Sequence, residues 1–143
     1  MEVYSIGFTQ KTAEQFFGLL KDAGIRRLLD VRLNNTSQLS GFTKREDLEY
    51  FLGVICAEYV HEPLLAPTQM LDDYKKRKGS WDEYEGKFLD LMKEREVEKR
   101  IDSLQFLVPT VLLCSEPTPQ YCHRRLVLDY LQGVWGNLAI THL

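Results

Sequence analysis

Phe106-Leu107-Val108-Pro109-Thr110-Val111-Leu112-Leu113-Cys114-Ser115-Glu116-Pro117-Thr118-Pro119-Gln120-Tyr121-Cys122-His123-Arg124-Arg125 is the stretch on which the fold of this chain turns. The apolar run from Phe106 to Leu113 has the composition of a buried strand, and it ends abruptly in a thiol and a carboxylate, Cys114 and Glu116. A helix is expected next, with Thr118 as its N-cap and Pro119 as its first residue. A buried strand feeding a helix belongs to a parallel α/β sheet, and open sheets of that kind bind ligands beyond the carboxyl ends of their strands. Packing alone gives little reason to collect two thiols, an imidazole, a carboxylate and two guanidiniums there.

Working outward, short apolar runs alternate with amphipathic stretches. Val3 to Ile6 reads as a first strand ended by Gly7, and Thr12-Ala13-Glu14-Gln15 as a capping box opening a helix that Gly24 stops. Arg27 to Val31 is a second strand, followed by a polar loop from Arg32 to Phe42. Thr43-Lys44-Arg45-Glu46 reads as a second capping box, with Leu48, Phe51, Leu52 and Ile55 on one helical face. Tyr59 to His61 is a third strand. From Pro67 to about Ser103 the pattern is helical throughout, with a third capping box at Ser80-Trp81-Asp82-Glu83. The helix after the fourth strand is expected to stop near Gly133, and Leu138 to Thr141 to form a fifth strand. The expected fold is α/β: a mostly parallel sheet of about five strands flanked by helices, with a helical insertion before the fourth strand, in one domain over residues 1–143.

The bulk properties fit a globular chain. It has 143 residues, 44% hydrophobic and 27% charged, enough for a core without disulfides or metal staples. A net charge of −3 argues against a broad electrostatic grip on nucleic acid or an anionic membrane, leaving only a local basic patch. No run approaches the roughly 20 apolar residues that span a bilayer. Met1 to Gly7 is strand-like and lacks the regions of a signal peptide. Three cysteines, an odd number, read as reduced thiols and place the protein in the cytoplasm.

Every expected strand ends in a residue with chemistry: Gly7 and Thr9 after the first, Asp30 and Arg32 around the second, His61 at the third, Cys114 and Glu116 at the fourth, His142 at the fifth. Parallel strands would gather them on one edge. In the helix after Cys114, cations near the N-terminus oppose the dipole by roughly 0.3–1 kcal/mol each. His123 and Arg124 therefore make sense if they share an anion with free backbone N–H groups. His123 shares its face with Val127 and Leu131 and so points inward. The same surroundings would lower the pKa of Cys114 or Cys122. The plainer alternative pairs Arg124 and Arg125 with Glu116 and Asp129 as ion pairs.

Spacing tests sharper readings. An anion loop of the phosphatase or rhodanese type needs an arginine six positions after the cysteine, where this chain has Gln120 and Leu128. A Cys-x-x-Cys redox pair is absent, and a disulfide between Cys114 and Cys122 is sterically conceivable. Structural zinc usually uses cysteines two to four residues apart. Here seven residues separate Cys114 from Cys122, so no metal is assigned, and a non-standard site drawing on His61 or His142 stays open. Elsewhere, Cys56 closes an apolar helical face and reads as core. Lys75-Lys76-Arg77-Lys78 reads as a solvated helix face, and Trp81 and Tyr84 as packing beside Phe88. Asp30 and Arg32 are either a structural ion pair or functional. The loop Asn34 to Gln38 either orders a substrate or satisfies its own turns.

Tyr4-Ser5-Ile6-Gly7, Leu29-Asp30-Val31-Arg32, Gly41-Phe42-Thr43-Lys44, Tyr59-Val60-His61, and Cys114-x-Glu116 followed by Cys122-His123-Arg124 and His142 resemble the DUF488 family, in the branch with Asp-Val-Arg-Leu-Asn-Asn after the second strand. The resemblance implies a small, single-domain α/β protein of mostly bacterial or archaeal occurrence, with no settled activity. It carries the recurring motif residues over to Gly7, Asp30, Arg32, His61, Cys114, Glu116, Cys122, His123, Arg124 and His142. Many members have histidine where this chain has Phe8, so no mechanism here can rest on that imidazole.

Three functions follow as expectations. The first is an enzyme acting on a small anionic substrate, phosphorylated or nucleotide-like. In it Cys114, Glu116, Cys122 and Asp30 carry the chemistry, and Gly7, Thr9, Arg32, His61, His123, Arg124 and His142 bind substrate. The second is a non-catalytic module that binds a nucleotide or a nucleic-acid end in the same pocket. The third is a metal-stabilised structural domain. No cofactor is assigned, and no membrane partner is expected.

Overall fold

In the computed structural model, which describes residues 1–36 and 41–143, five strands form one sheet. They are β1 (Glu2–Gly7), β2 (Arg27–Asp30), β3 (Glu58–His61), β4 (Thr110–Cys114) and β5 (Ala139–His142). Their order is β3-β2-β4-β1-β5, and every pairing is parallel. Six α-helices accompany them: α1 (Ala13–Asp22), α2 (Arg45–Val54), α3 (Gln69–Lys76), α4 (Trp81–Arg95), α5 (Val97–Arg100) and α6 (His123–Trp135). Ser37 and Gln38 of the polar loop lie outside the described residues.

Side chains alternate across the sheet, so each face meets its own helical layer. On one face Ile6, Leu28, Val111 and Leu113 pack against Phe16 and Leu20 of α1 and Leu48 and Leu52 of α2. On the other, Val3, Leu29 and Leu112 pack against Tyr84, Phe88 and Met92 of α4 and Leu126 to Leu128 of α6. All five residues of β4 are buried, as expected of a central parallel strand. Truncating Leu112 to alanine there would cost about 2–5 kcal/mol.

The chain runs from β1 across β4 to β2 and β3, then back to β4 and across β1 to β5. The helix that follows β1 and the helix that follows β4 therefore cover opposite faces. Their loops part above the carboxyl end of β4, and a crevice opens where such connections diverge. The register sets Gly7 beside Cys114, Asp30 beside Leu113 and Ser5 beside His142.

Local physics moves several boundaries from their expected places. The first capping box is present: Thr12 Oγ1 accepts from the Gln15 N–H at 3.1 Å, and Gln15 Oε1 from the Thr12 N–H at 2.9 Å. The second is not. Thr43 is buried in a 3-10 turn, its carbonyl accepting from Arg32, and Lys44 starts α2 without a side-chain cap. Ser80 sits at the N-cap of α4 without making a side-chain bond. The middle is broken rather than continuous, because Lys78 and Glu96 take left-handed backbone between helices.

β4 starts at Thr110, not Phe106. Pro109 has no N–H for the ladder, while its carbonyl accepts from Arg26 and Arg27, and Phe106 lies in a 3-10 turn. α6 runs through Gly133 and ends at Gly136 (φ +76°), whose N–H reaches Gln132 at 2.9 Å, with Trp135 packed on Phe106. Cys56 is exposed, not core: it follows the end of α2 in left-handed backbone, so the apolar face of that helix stops short of it.

Candidate functional site

Cys114 is the last residue of β4, and Cys122 is the N-cap of α6, in extended backbone. α6 therefore begins at His123, one turn later than the Thr118 and Pro119 pattern predicts. Tertiary pairing overrides the local signal: the chain from Ser115 to Tyr121 loops out, and Cys122 and His123 return beside Cys114. Both thiols are buried, as are His123 and Arg124. Tyr121, on the outside of the loop, meets the Trp81 ring edge-on at 5.5 Å.

Cys114 Sγ lies 3.5 Å from His123 Nδ1, while His123 Nε2–H donates to the Val31 carbonyl at 2.7 Å. A carbonyl only accepts, so Nε2 carries a proton and Nδ1 is turned to the sulfur. The ring either accepts from the thiol or, protonated, donates to a thiolate. The hydrogen bond from Cys122 holds the Cys114 thiol well below the usual thiol range; burial opposes this, and His123 and the Glu116 N–H assist. Cys122 moves the other way, raised by burial and by the neighbouring Cys114. Burial works against charge on His123, but the Cys114 sulfur and the Val31 carbonyl outweigh it and raise the ring. These shifts favour a thiolate on Cys114 beside an imidazolium, with Cys122 as the thiol donor to it. All three cysteines are free, so the conceivable Cys114–Cys122 disulfide is not formed.

Two adjoining clefts of about 260 and 210 Å³ open onto this pair and share Asp72, Lys76, Cys114, Ser115 and His123 in their walls. Lys75, Tyr84 and Glu116 line the first; Phe8, Arg32 and Asn34 line the second. Lys75 of α3 is not on a solvated face. Its ammonium sits over the rings of Trp81 and Tyr84, 5.8 and 5.7 Å from their centroids, and pairs with the Glu116 carboxylate at 3.3 Å. Tyr84 is buried, and burial, then the charge of the two thiols, raises its phenol so that it stays a donor. The sequence alone places Lys75 on a solvated face and Tyr84 in packing. Their signal was present in the spacing: Lys75 follows the buried Leu71 by four positions and shares its face.

Asp30 is fully buried and saturated. It accepts from Arg32 Nε and Nη2, both at 2.8 Å, from the Arg32 N–H at 3.1 Å and from the Tyr59 hydroxyl at 2.6 Å. Arg32 Nη2 also donates to the Thr43 carbonyl, and the guanidinium lies over the Phe8 ring at 5.5 Å. His61 is half-buried and bonds the Arg32 carbonyl through Nε2 at 3.2 Å. Asp30, Arg32, Tyr59 and His61 thus form a braced cluster on the β2 side of the thiol pair.

Gly7 is demanded by space. A Cβ there would stand 1.6 Å from the Glu116 carbonyl oxygen and 3.2 Å from Arg124 Nη1. That carbonyl accepts from Arg124 Nη1 at 2.8 Å, while Arg124 Nε donates to Ser5 Oγ at 3.1 Å. Ser5 Oγ in turn lies 2.5 Å from His142 Nδ1. Arg124 therefore contacts the backbone of Glu116, not its carboxylate, and its Nη2 is buried without a partner among the described residues. Arg125 does pair with Asp129, at 2.9 Å. Thr9 donates to the Ser115 carbonyl and lines a separate, open groove of about 710 Å³ along α1. That groove is larger than the two clefts, but no thiol or imidazole lines it; the thiol–imidazole pair lies at the smaller clefts.

The sulfurs of Cys114 and Cys122 and a ring nitrogen of His123 lie within 4.8 Å of one another. Among the described residues His61 and His142 do not join that cluster. No helix among the described residues is long and apolar enough to cross a membrane. A family model described as a domain of unknown function, DUF488, matches residues 12–131, and the chain belongs to that family. No curated protein and no solved structure matches.

Proposed function

We propose that this member of the DUF488 family is an enzyme acting on a small anionic substrate, phosphorylated or nucleotide-like, at the clefts above β4. The observation that carries the reading is the buried Cys114–His123 pair, with Cys114 at the cleft wall and its imidazole locked onto the Val31 carbonyl. A thiolate held this way is the electron-rich partner in nucleophilic catalysis. Lys75 and Lys76 supply cationic wall, and Tyr84 a hydroxyl donor. Together the two clefts reach the lower end of the size of small-molecule sites, about 300–1,000 Å³. Asp30 is a positioning residue in this scheme, because its carboxylate is spent on Arg32 and Tyr59. Glu116, half-exposed at the cleft wall with Lys75 as its ion-pair partner, is the acid–base candidate.

The test is a screen of the metal-stripped full chain against nucleotides and phosphorylated metabolites, read by 31P NMR. Protection of Cys114 from iodoacetamide is followed in parallel. The reading expects a substrate whose turnover is lost in Cys114→Ser and whose protection is lost in Lys75→Met. Saturable protection without turnover points to a binding module. A screen that shows no turnover and no protection refutes the proposal.

A further inference from the structure

We propose that Cys114, Cys122 and His123 form a binding site for a zinc-class divalent metal ion, with its open side on the cleft. This goes beyond the anion reading and does not depend on it. The first support is distance. A sulfur about 2.3 Å and a ring nitrogen about 2.0 Å from one tetrahedral ion stand about 3.5 Å apart. Cys114 Sγ and His123 Nδ1 are separated by 3.5 Å, and all three donor groups converge within 4.8 Å.

The second support is orientation. A metal-binding histidine almost always donates its other ring N–H to a carbonyl or carboxylate, which fixes the tautomer. His123 Nε2–H already does so, to Val31 at 2.7 Å, leaving Nδ1 directed at the sulfurs. The ring is further wedged against Phe88, with centroids 5.6 Å apart.

The third is charge. The net-neutral cluster holds two protons more than two thiolates and a neutral imidazole, so it loses two protons to bind one divalent ion and stays uncharged. Soft sulfur with imidazole selects zinc-class ions over magnesium or calcium. Three protein ligands leave a fourth position, the pattern of catalytic rather than structural sites. Cys114 and His123 line the cleft, which puts that position on the side of Lys75 and Glu116.

The sequence hides this site because its donors are not spaced as a zinc motif. Seven residues separate the cysteines, and the ligand set closes only because the loop from Ser115 to Tyr121 folds back on β4.

The experiment titrates the reduced, chelator-stripped full chain with Co²⁺ under anaerobic conditions, with no anion ligand present. The expected result is one ion per chain, a thiolate-to-cobalt charge-transfer band with tetrahedral d–d intensity, release of about two protons per ion, and displacement by one equivalent of Zn²⁺. Cys122→Ser and His123→Gln should each weaken binding by more than the roughly 10–100-fold lost with an outer partner. Cys56→Ser, altering an exposed thiol, should leave it unchanged. No thiolate band at one equivalent, or a band that survives in Cys122→Ser and disappears in Cys56→Ser, overturns the proposal. If a variant fails to fold, the wild-type spectrum and proton count decide alone. Anion protection of Cys114 is read separately, so failure of one proposal does not imitate failure of the other.

Discussion

Replacing Asp30 with asparagine should unfold this protein at markedly lower temperature without altering the shape of the side chain. Asp30 has no solvent exposure, and its partner Arg32 is 6% exposed. Arg32 Nη2 and the Tyr59 hydroxyl both donate to the same oxygen, Oδ2. An amide nitrogen there would face two donors, while one at Oδ1 would face the Arg32 backbone N–H and Nε. Either rotamer leaves the guanidinium buried without a counter-charge. Breaking one side of a buried pair costs about 3–5 kcal/mol. With an unfolding entropy of about 2.1 cal/mol/K per residue, a chain of this length loses about 0.3 kcal/mol for each degree, so a loss of about 4 kcal/mol lowers Tm by about 13 °C.

The assay is a thermal melt by circular dichroism, with urea unfolding to confirm that m is unchanged. The double variant Asp30→Leu/Arg32→Met removes both charges and should recover most of the loss, since exchanging a buried pair for apolar groups is often neutral. A fall of less than about 3 °C in Asp30→Asn, or a double variant worse than either single one, would refute the assignment of Asp30 as a brace. A catalytic Asp30 would instead show lost turnover at an unchanged Tm.

Three further outcomes follow. In the metal-stripped chain, Cys114 should react with iodoacetamide well below the ordinary thiol range near pH 8.5, because the Cys122 hydrogen bond and His123 stabilise its thiolate; His123→Asn should move the profile upward, read by site-resolved mass spectrometry. Gly7→Ala should push the Glu116 carbonyl off Arg124 and cost about 1–3 kcal/mol, or roughly 3–10 °C in Tm. Burial, then the charge of Arg124, lowers the His142 pKa in the folded chain; the unfolded chain therefore takes up that proton first, and stability falls as pH drops below about 6.5. His142→Gln should flatten that part of the pH–stability curve, and an unchanged slope would remove His142 from the linkage.

The sheet was legible because parallel strands buried on both faces are near-continuous apolar runs: Val111–Leu113 is unbroken, Val3–Ile6 is broken only by Ser5, and Leu28–Val31 only by Asp30. Their endings pointed to one edge for the same reason. The inward turn of His123 was legible from its spacing with Val127 and Leu131, both buried. The start of α6 was not, because Pro119 satisfies the local rules for a first helical residue. Only long-range contacts, Cys122 with Cys114 and His123 with Val31, decide against it. Lys75 was hidden by its neighbours: in a run of four cations a single inward residue changes no composition, and the aromatic rings that receive it come from the next helix.

The charges on the carboxyl edge then separate into paired and unpaired. Asp30 is committed to Arg32, Glu116 to Lys75 and Asp72 to Lys76. The Cys114 thiolate and the His123 imidazolium answer each other. Arg124 is left over: fully buried and, among the described residues, held by a hydroxyl and a carbonyl with Nη2 unpartnered. Its field reaches Cys122, His142 and Lys11, lowering Lys11 after burial has done most of that work. A buried guanidinium without a carboxylate is costly unless negative charge gathers near it. The groups able to supply that charge are the Cys114 thiolate of the cluster it flanks, or an anion drawn to the start of α6. Both answers put negative charge at the same corner, so Arg124→Met should weaken ionisation of the Cys114–Cys122 pair as well as anion binding. A variant that lost only one of these would show which of the two charges Arg124 serves.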